Sequence, residues 1–350
     1  MSYTRQTILE MAGYTPGEQP RDRLLVKLNT NENPYPPSPA VTEALASLTT
    51  AGLRLYPDPL ARALRQEAAR QWNLSEDAVI CGNGSDDLLT IGVRTFVDQG
   101  GTIACPDPTY SLYPVLARIQ GARTIHIPLD ETFNPPPDCA RQAAGSSLLF
   151  LARPNAPTGN AFDLSTMHQL CRDYQGIVWI DEAYADFAAD NCLDFVHKYP
   201  NVVVSRTVSK SYSLAGIRLG LACAQPPLIE QMLKVKDSYN VNALTQTLGL
   251  AALKDQSHMQ TNVKRIQATR RWAADELTAL GFQVLPSEAN FLFARPPIPA
   301  DEYAKALRAH HILIRYFPGE RTGDYARVTI GTDADMQKLL QATRTILADQ

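Results

Sequence analysis

Lys210 lies in Arg206-Thr207-Val208-Ser209-Lys210-Ser211-Tyr212, among small and hydroxylic residues just after an apolar run. A lysine so placed is a candidate Schiff-base nucleophile, because burial near other cations leaves part of it as neutral amine. Ser209 and Arg218 add a hydroxyl and a guanidinium fork, a pair suited to a phosphate. Taken singly, such a lysine is more often a surface residue. Asp181 and Tyr184 stand in Ile180-Asp181-Glu182-Ala183-Tyr184, again where an apolar run ends. A buried carboxylate needs a partner, and a cationic ring nitrogen would serve; the same acidic pair could also cap the next helix. In Cys81-Gly82-Asn83-Gly84-Ser85-Asp86-Asp87 the glycines let the backbone approach a ligand, and the helix start beyond them attracts anions. A ligand-free N-cap is an equal reading of that turn.

These residues need a scaffold that brings loop starts together. Apolar runs at 78–81, 102–105, 147–151, 177–180 and 202–205 read as buried strands, and helix-like segments separate them. Strand and helix in alternation predict an α/β fold with a mostly parallel sheet flanked by helices. Ligands of such sheets bind beyond the carboxyl ends of the strands, which is where the polar motifs fall. Residues 1–40 end in Asn29-Thr30-Asn31-Glu32-Asn33-Pro34-Tyr35-Pro36-Pro37 and read as an extended, loop-like arm. From about 246 to 280 the pattern is one long helix with Lys264, Arg265, Arg270 and Arg271 on a solvated face. Strand candidates at 282–285, 290–293, 312–315 and 327–330 bracket a helix near 300–310, giving a second, smaller α/β unit.

With Asn155 in Arg153-Pro154-Asn155-Ala156-Pro157-Thr158-Gly159, the series Asn155, Asp181, Tyr184, Lys210, Arg218 resembles the fold-type I aminotransferases that depend on pyridoxal 5'-phosphate (PLP). Within that superfamily the chain resembles the histidinol-phosphate aminotransferases, through Asn31-Glu32-Asn33-Pro34, Tyr56-Pro57-Asp58, Gly82-Asn83-Gly84-Ser85-Asp86, Pro108-Thr109-Tyr110 and Arg327-Val328-Thr329-Ile330-Gly331. The resemblance runs over nearly the whole chain. It implies a large PLP-binding domain at 41–245, with the arm at 1–40 and a small domain at 246–350.

It also implies roles. Lys210 would carry PLP and shuttle a proton at the substrate carbon. Asp181 would keep the pyridine nitrogen protonated, Tyr184 and Asn155 would bond the ring oxygen, and Tyr110 would stack on the ring. Ser85, the backbone N–H of Asp86, Ser209 and Arg218 would hold the cofactor phosphate, with Tyr56 arriving from the second subunit of a homodimer. Arg327, Arg315, Tyr14 and Asn33 would face the substrate, although Gly13 stands where the family commonly has proline. The implied reaction is amino transfer from L-histidinol phosphate to 2-oxoglutarate, giving imidazole acetol phosphate and L-glutamate by a ping-pong route through pyridoxamine phosphate. Alternatives are an aromatic amino acid as donor, a PLP decarboxylase of a phosphorylated amino acid, or the sensor domain of a transcription regulator. The last would carry a DNA-binding domain for which these motifs leave no room.

A net charge of -3, with acidic and basic residues mixed, argues against a nucleic acid or an anionic membrane as partner. The six cysteines are scattered without a CxxC pair or a histidine at metal-ligand spacing, which predicts free thiols in a reducing compartment and no metal site. The first residues carry no apolar run behind their charge, so no signal peptide is expected and a cytoplasmic location is.

Overall fold

The computed structural model describes residues 3–20 and 24–349. Seven strands form the main sheet: β1 (Val79–Gly82), β2 (Thr102–Asp107), β3 (Arg123–Pro128), β4 (Leu148–Ala152), β5 (Ile177–Asp181), β6 (Val202–Thr207) and β7 (Gly220–Ala224), in the spatial order β1-β7-β6-β5-β4-β2-β3. The run from β6 through β5, β4 and β2 to β3 is parallel, while β7 is antiparallel to both β1 and β6. The expected mostly parallel sheet is therefore present, and Asp107, Ala152, Asp181 and Thr207 end their strands on one edge of it.

Burial on both faces explains the continuous apolar runs. Every residue of β4 is buried, and Trp179, Phe150 and Tyr113 pack on one face while Leu149, Leu151 and Ile180 pack on the other. Each fully buried aliphatic or aromatic side chain of this kind contributes about 1.5–3 kcal/mol. Gly92 shows how tight the packing is: a Cβ there would run into the Trp179 ring, so the helix Ser85–Phe96 lies directly on the sheet only because this position is bare.

Two strands of the main sheet escaped the sequence reading. β3 is an edge strand whose Arg123, His126 and Pro128 are exposed, so it shows no apolar run. β7, Gly-Leu-Ala-Cys-Ala, is buried but built mostly of small residues.

A second, antiparallel sheet joins β8 (Gln283–Val284), β9 (Phe291–Arg295), β10 (Arg315–Tyr316) and β11 (Ala326–Thr329), in the order β10-β11-β9-β8. The expected single helix at 246–280 is two helices, Ala243–Lys254 and Gln256–Ala279. Asp255 divides them, because its carboxylate accepts the His258 N–H (3.2 Å) and so caps a new helix. The first helix packs on Pro39–Ser47 and Arg62–Trp72, and the second on Asp333–Ala348 beside the smaller sheet. Arg270 is not on the solvated face expected of it: it is buried and donates to the Ala289 carbonyl (2.6 Å).

The arm is more than a loop. Val26–Lys27 pairs in parallel with Ile312–Leu313, Leu28 enters the core of the smaller unit, and Asn31 N–H donates to Thr329 Oγ1 (3.0 Å). From there the arm runs back to the carboxyl edge of the main sheet. No helix among the described residues is long and apolar enough to cross a membrane.

Candidate active site

A cavity of about 770 Å³ opens where the carboxyl ends of β2, β4, β5 and β6 meet the arm and the smaller sheet. It brings together Tyr14, Ser85, Asp86, Tyr110, Asp181, Tyr184, Ser209, Lys210, Arg218, Arg315 and Arg327, all singled out from sequence.

Lys210 follows β6, and its Nζ donates to the Thr30 carbonyl of the arm (3.1 Å). Burial pushes its pKa down to about 8; Glu32 opposes this, and Arg327 and Arg218 add to it. A usable share of neutral amine therefore exists near pH 7 to 8. Asp181 ends β5, buried, with Oδ2 accepting from Tyr113 OH (2.9 Å) and Oδ1 from Ala183 N–H (3.2 Å). Burial raises its pKa to about 6; the Tyr113 bond opposes the rise and Asp86 adds to it. A carboxylate held under such pressure is stabilised by any cation delivered to it. Tyr184 OH accepts from Asn31 Nδ2 (2.8 Å), and its ring meets Phe291 edge to face at 5.1 Å.

One end of the cavity is built for an anion. Ser85 opens the helix Ser85–Phe96, and its Oγ is buried with no protein partner. Ser209 Oγ lies 2.9 Å from Thr207 Oγ1, whose single proton also lies within reach of the Leu219 carbonyl (3.1 Å). Arg218 approaches Gly84, where a Cβ would stand 2.5 Å from Nη2. A hydroxyl without a partner, a second hydroxyl, a guanidinium and a helix N-terminus together fit a phosphate. The Asp86 carboxylate meanwhile takes Arg218 (3.4 Å) and Tyr110 OH (3.1 Å).

At the other end, Arg315 and Arg327 are direct cross-strand partners on β10 and β11. Two like charges opposite one another are unfavourable unless an anion lies between them. Arg327 Nη2 donates to the Asn29 carbonyl (3.0 Å), but its buried Nε has no partner. Burial lowers its pKa. Arg315 holds the arm through Thr15 O (3.1 Å) and Pro16 O (3.3 Å), and both guanidiniums lie over the Phe317 ring. Tyr14 meets Tyr110 edge to face at 5.8 Å.

Three expected residues do not line the cavity, among them Tyr56, which is expected in the site of a partner subunit. Asn155 and Asn33 stand behind the cavity wall. Asn155 Nδ2 donates to Pro108 O (3.0 Å) and Thr158 Oγ1 (2.8 Å), while its Oδ1 accepts from Thr109 (2.8 Å), so it braces the Thr109-Tyr110 loop. Asn33 Nδ2 donates to Lys210 O (3.0 Å) and Ser211 O (3.1 Å), fixing the lysine's backbone. Tyr56 lies outside the cavity, 80% exposed and stacked on Tyr239 at 4.3 Å. Sequence reasoning missed Tyr113 and Asn31, which hold Asp181 and Tyr184. The only signal for Tyr113 was a hydroxyl inside the otherwise apolar start of the helix Leu112–Gln120.

Residues 23–342 match the family described as aminotransferase class I and II, and the chain belongs to that family of PLP-dependent enzymes. Within it, the sequence is similar to histidinol-phosphate aminotransferases. It is 45% identical over 347 residues to that of Microcystis aeruginosa, covering 98% of each chain. It is 46% identical over 351 residues to that of Syntrophotalea carbinolica, covering 99% of this chain and 100% of the relative. The fold matches the histidinol-phosphate aminotransferase of Sinorhizobium meliloti, solved in complex with pyridoxal-5'-phosphate, at a TM-score of 0.88 and 23% identity over 99% of each chain.

Proposed function

We propose that the cavity transfers an amino group from L-histidinol phosphate to 2-oxoglutarate, in the cytoplasm, by a ping-pong exchange with PLP as carrier. Bound there, PLP supplies a carbonyl that takes up the amino group and a ring that withdraws electrons from the substrate carbon. The residues of the chain do the rest. Ser85, the Asp86 N–H, Ser209 and Arg218 hold the phosphate, and Asp181, fixed by Tyr113, keeps a positive charge on the ring nitrogen. Tyr184, oriented by Asn31, faces the ring oxygen, and Tyr110 lies along the ring face. Lys210 anchors the carrier and, once displaced, moves a proton to and from the substrate carbon.

The cross-strand pair Arg315–Arg327, with the orphaned Nε of Arg327, carries the choice of substrate. A phosphate monoester brings about -1.5 to -2 charges and three acceptor oxygens, enough to engage both guanidiniums. The single carboxylate of phenylalanine brings one charge, and a carboxylate of 2-oxoglutarate uses the same fork in the return half. Half-reactions followed by conversion of bound PLP to pyridoxamine phosphate test this. Histidinol phosphate should exceed phenylalanine in kcat/KM by about a hundredfold or more. Equal or faster conversion with phenylalanine makes the enzyme an aromatic aminotransferase instead.

A second copy of the chain completes the site in this proposal. Tyr56, Leu45, Leu53, Leu55, Tyr239 and Leu244 are all exposed, and Tyr56 stacks on Tyr239. Apolar exposure of this kind marks an association face. Tyr56 then reaches the cofactor phosphate of the partner subunit. Tyr56→Ala and Lys210→Ala, each poorly active alone, should regain about a quarter of wild-type activity when refolded together, since half the dimers then hold one intact site. No recovery on mixing would place Tyr56 outside the partner's site.

A further inference from the structure

A largely buried ionic network beneath the cavity floor has no part in the chemistry above. Arg206, on β6, lies four residues before Lys210. Its Nε and Nη2 donate to Glu182 Oε2 (3.0 and 2.8 Å), and its Nη1 donates to Asp186 Oδ1 (3.2 Å). Glu182, whose side chain is fully buried, follows Asp181 directly, accepts the Cys192 N–H at its other oxygen, and donates its own N–H to Ser205 O (2.8 Å). Asp186 accepts from the hydroxyl of Ser211, the residue next to Lys210. None of Glu182, Asp186, Arg206 and Ser211 lines the cavity.

The network therefore joins the residue after Asp181 to the residue after Lys210, through Glu182, Arg206, Asp186 and Ser211 in turn. On its opposite side the Lys210–Ser211 backbone is held by the Asn33 amide. Stability alone is a poor account of such an arrangement. Desolvating one charge fully and two more in large part is costly, and apolar residues of the same volume would serve a core at least as well. What an apolar core cannot supply is a directional link between two loops, whereas a planar fork shared by two carboxylates fixes both separation and orientation. Burial pulls the Arg206 pKa down, but Glu182 and Asp186 outweigh it, so the guanidinium stays charged and the link intact.

We infer that Arg206, with Glu182, Asp186 and Ser211, forms a positioning unit that sets the Lys210 amine relative to Asp181. This inference rests on the proposed PLP site. Ser211→Ala, Asp186→Asn and Arg206→Lys test it in the PLP-loaded dimer, by kcat, KM, PLP affinity, the pH midpoint of the visible absorption band, and the melting temperature of the PLP-free protein. Each variant should lose about tenfold in kcat with KM held within about twofold, and move the spectral midpoint by about half a pH unit or more, because a small displacement of a reacting group is enough. Arg206→Lys should not rescue, since one ammonium cannot span both carboxylates. Ser211→Ala removes a single hydroxyl at the rim of the network and decides the matter even if the Arg206 variant fails to fold. An unchanged kcat and midpoint in folded Ser211→Ala and Asp186→Asn overturns the inference, as does a kcat that falls only in proportion to bound PLP. A wild-type protein with no visible band at all would instead remove the PLP reading itself.

Discussion

Lys210→Ala is expected to lower turnover by about 10,000-fold or more and to remove the visible absorbance of lysine-bound PLP, because both the anchor and the proton carrier are lost together. PLP should still bind weakly, since Ser85, Ser209 and Arg218 line the cavity independently of the lysine and would hold the phosphate without it. A visible band that survives in the variant rules out Lys210 as the anchor. Stability moves the opposite way. The Lys210 pKa stands at about 8 in the folded protein against 10.5 for a free lysine. A depressed lysine pKa means the folded state binds this proton less tightly than the unfolded state does. The penalty is fully present below pH 8 and disappears as pH rises through 10.5; it amounts to at most about 3 kcal/mol. The PLP-free alanine variant should therefore melt higher than PLP-free wild type at pH 7, and the gap should shrink by pH 10. An inactive variant that is also more stable separates loss of chemistry from loss of fold.

The parts of the site legible in the sequence share one property. Lys210, Asp181 and Ser85 are charged or hydroxylic residues that end or follow apolar strands, so their place on the carboxyl edge follows from the strand pattern itself. Tyr113 and Asn31 carry no such mark, because a neutral polar residue acquires its task only from what the fold sets against it. The Arg315–Arg327 pairing depends on the register of two short antiparallel strands, and register is set by packing that residue spacing does not encode. Asn155 and Asn33 were legible in their motifs but not in their hydrogen-bond partners within the chain. An asparagine offers the same donors to a ligand as to a loop, and here the loops take them. The scaffold was legible where burial is two-sided, and failed at the edge strand β3, at the small-residue strand β7, and at Asp255, where one side chain ends a helical pattern that the flanking residues would have continued.

Asp181→Asn probes the same separation of stability from function at the other pole of the site. Turnover should fall on the order of a hundredfold or more, since a neutral amide cannot hold a positive charge on the ring nitrogen and the electron-withdrawing power of the ring goes with it. The substitution is sterically and polarly benign. The amide oxygen can accept the Ala183 N–H, and its nitrogen can donate to Tyr113 once that hydroxyl turns to accept. Asp181 has a folded pKa of about 6 against 3.8 for a free aspartate. A raised carboxyl pKa means the folded state holds the proton more tightly, so stability is lost as pH rises from about 4 through 6 and stays lost above it. Two pKa units correspond to about 3 kcal/mol. PLP-free Asp181→Asn should accordingly melt above PLP-free wild type at pH 7 and alongside it at pH 4. Bound PLP reverses the order at pH 7, because the ring cation compensates Asp181 in the wild type and meets no charge in the variant. Melting curves at the two pH values, with and without PLP, measure all four states. If the PLP-dependent gain is equal in both proteins, Asp181 does not face the ring nitrogen.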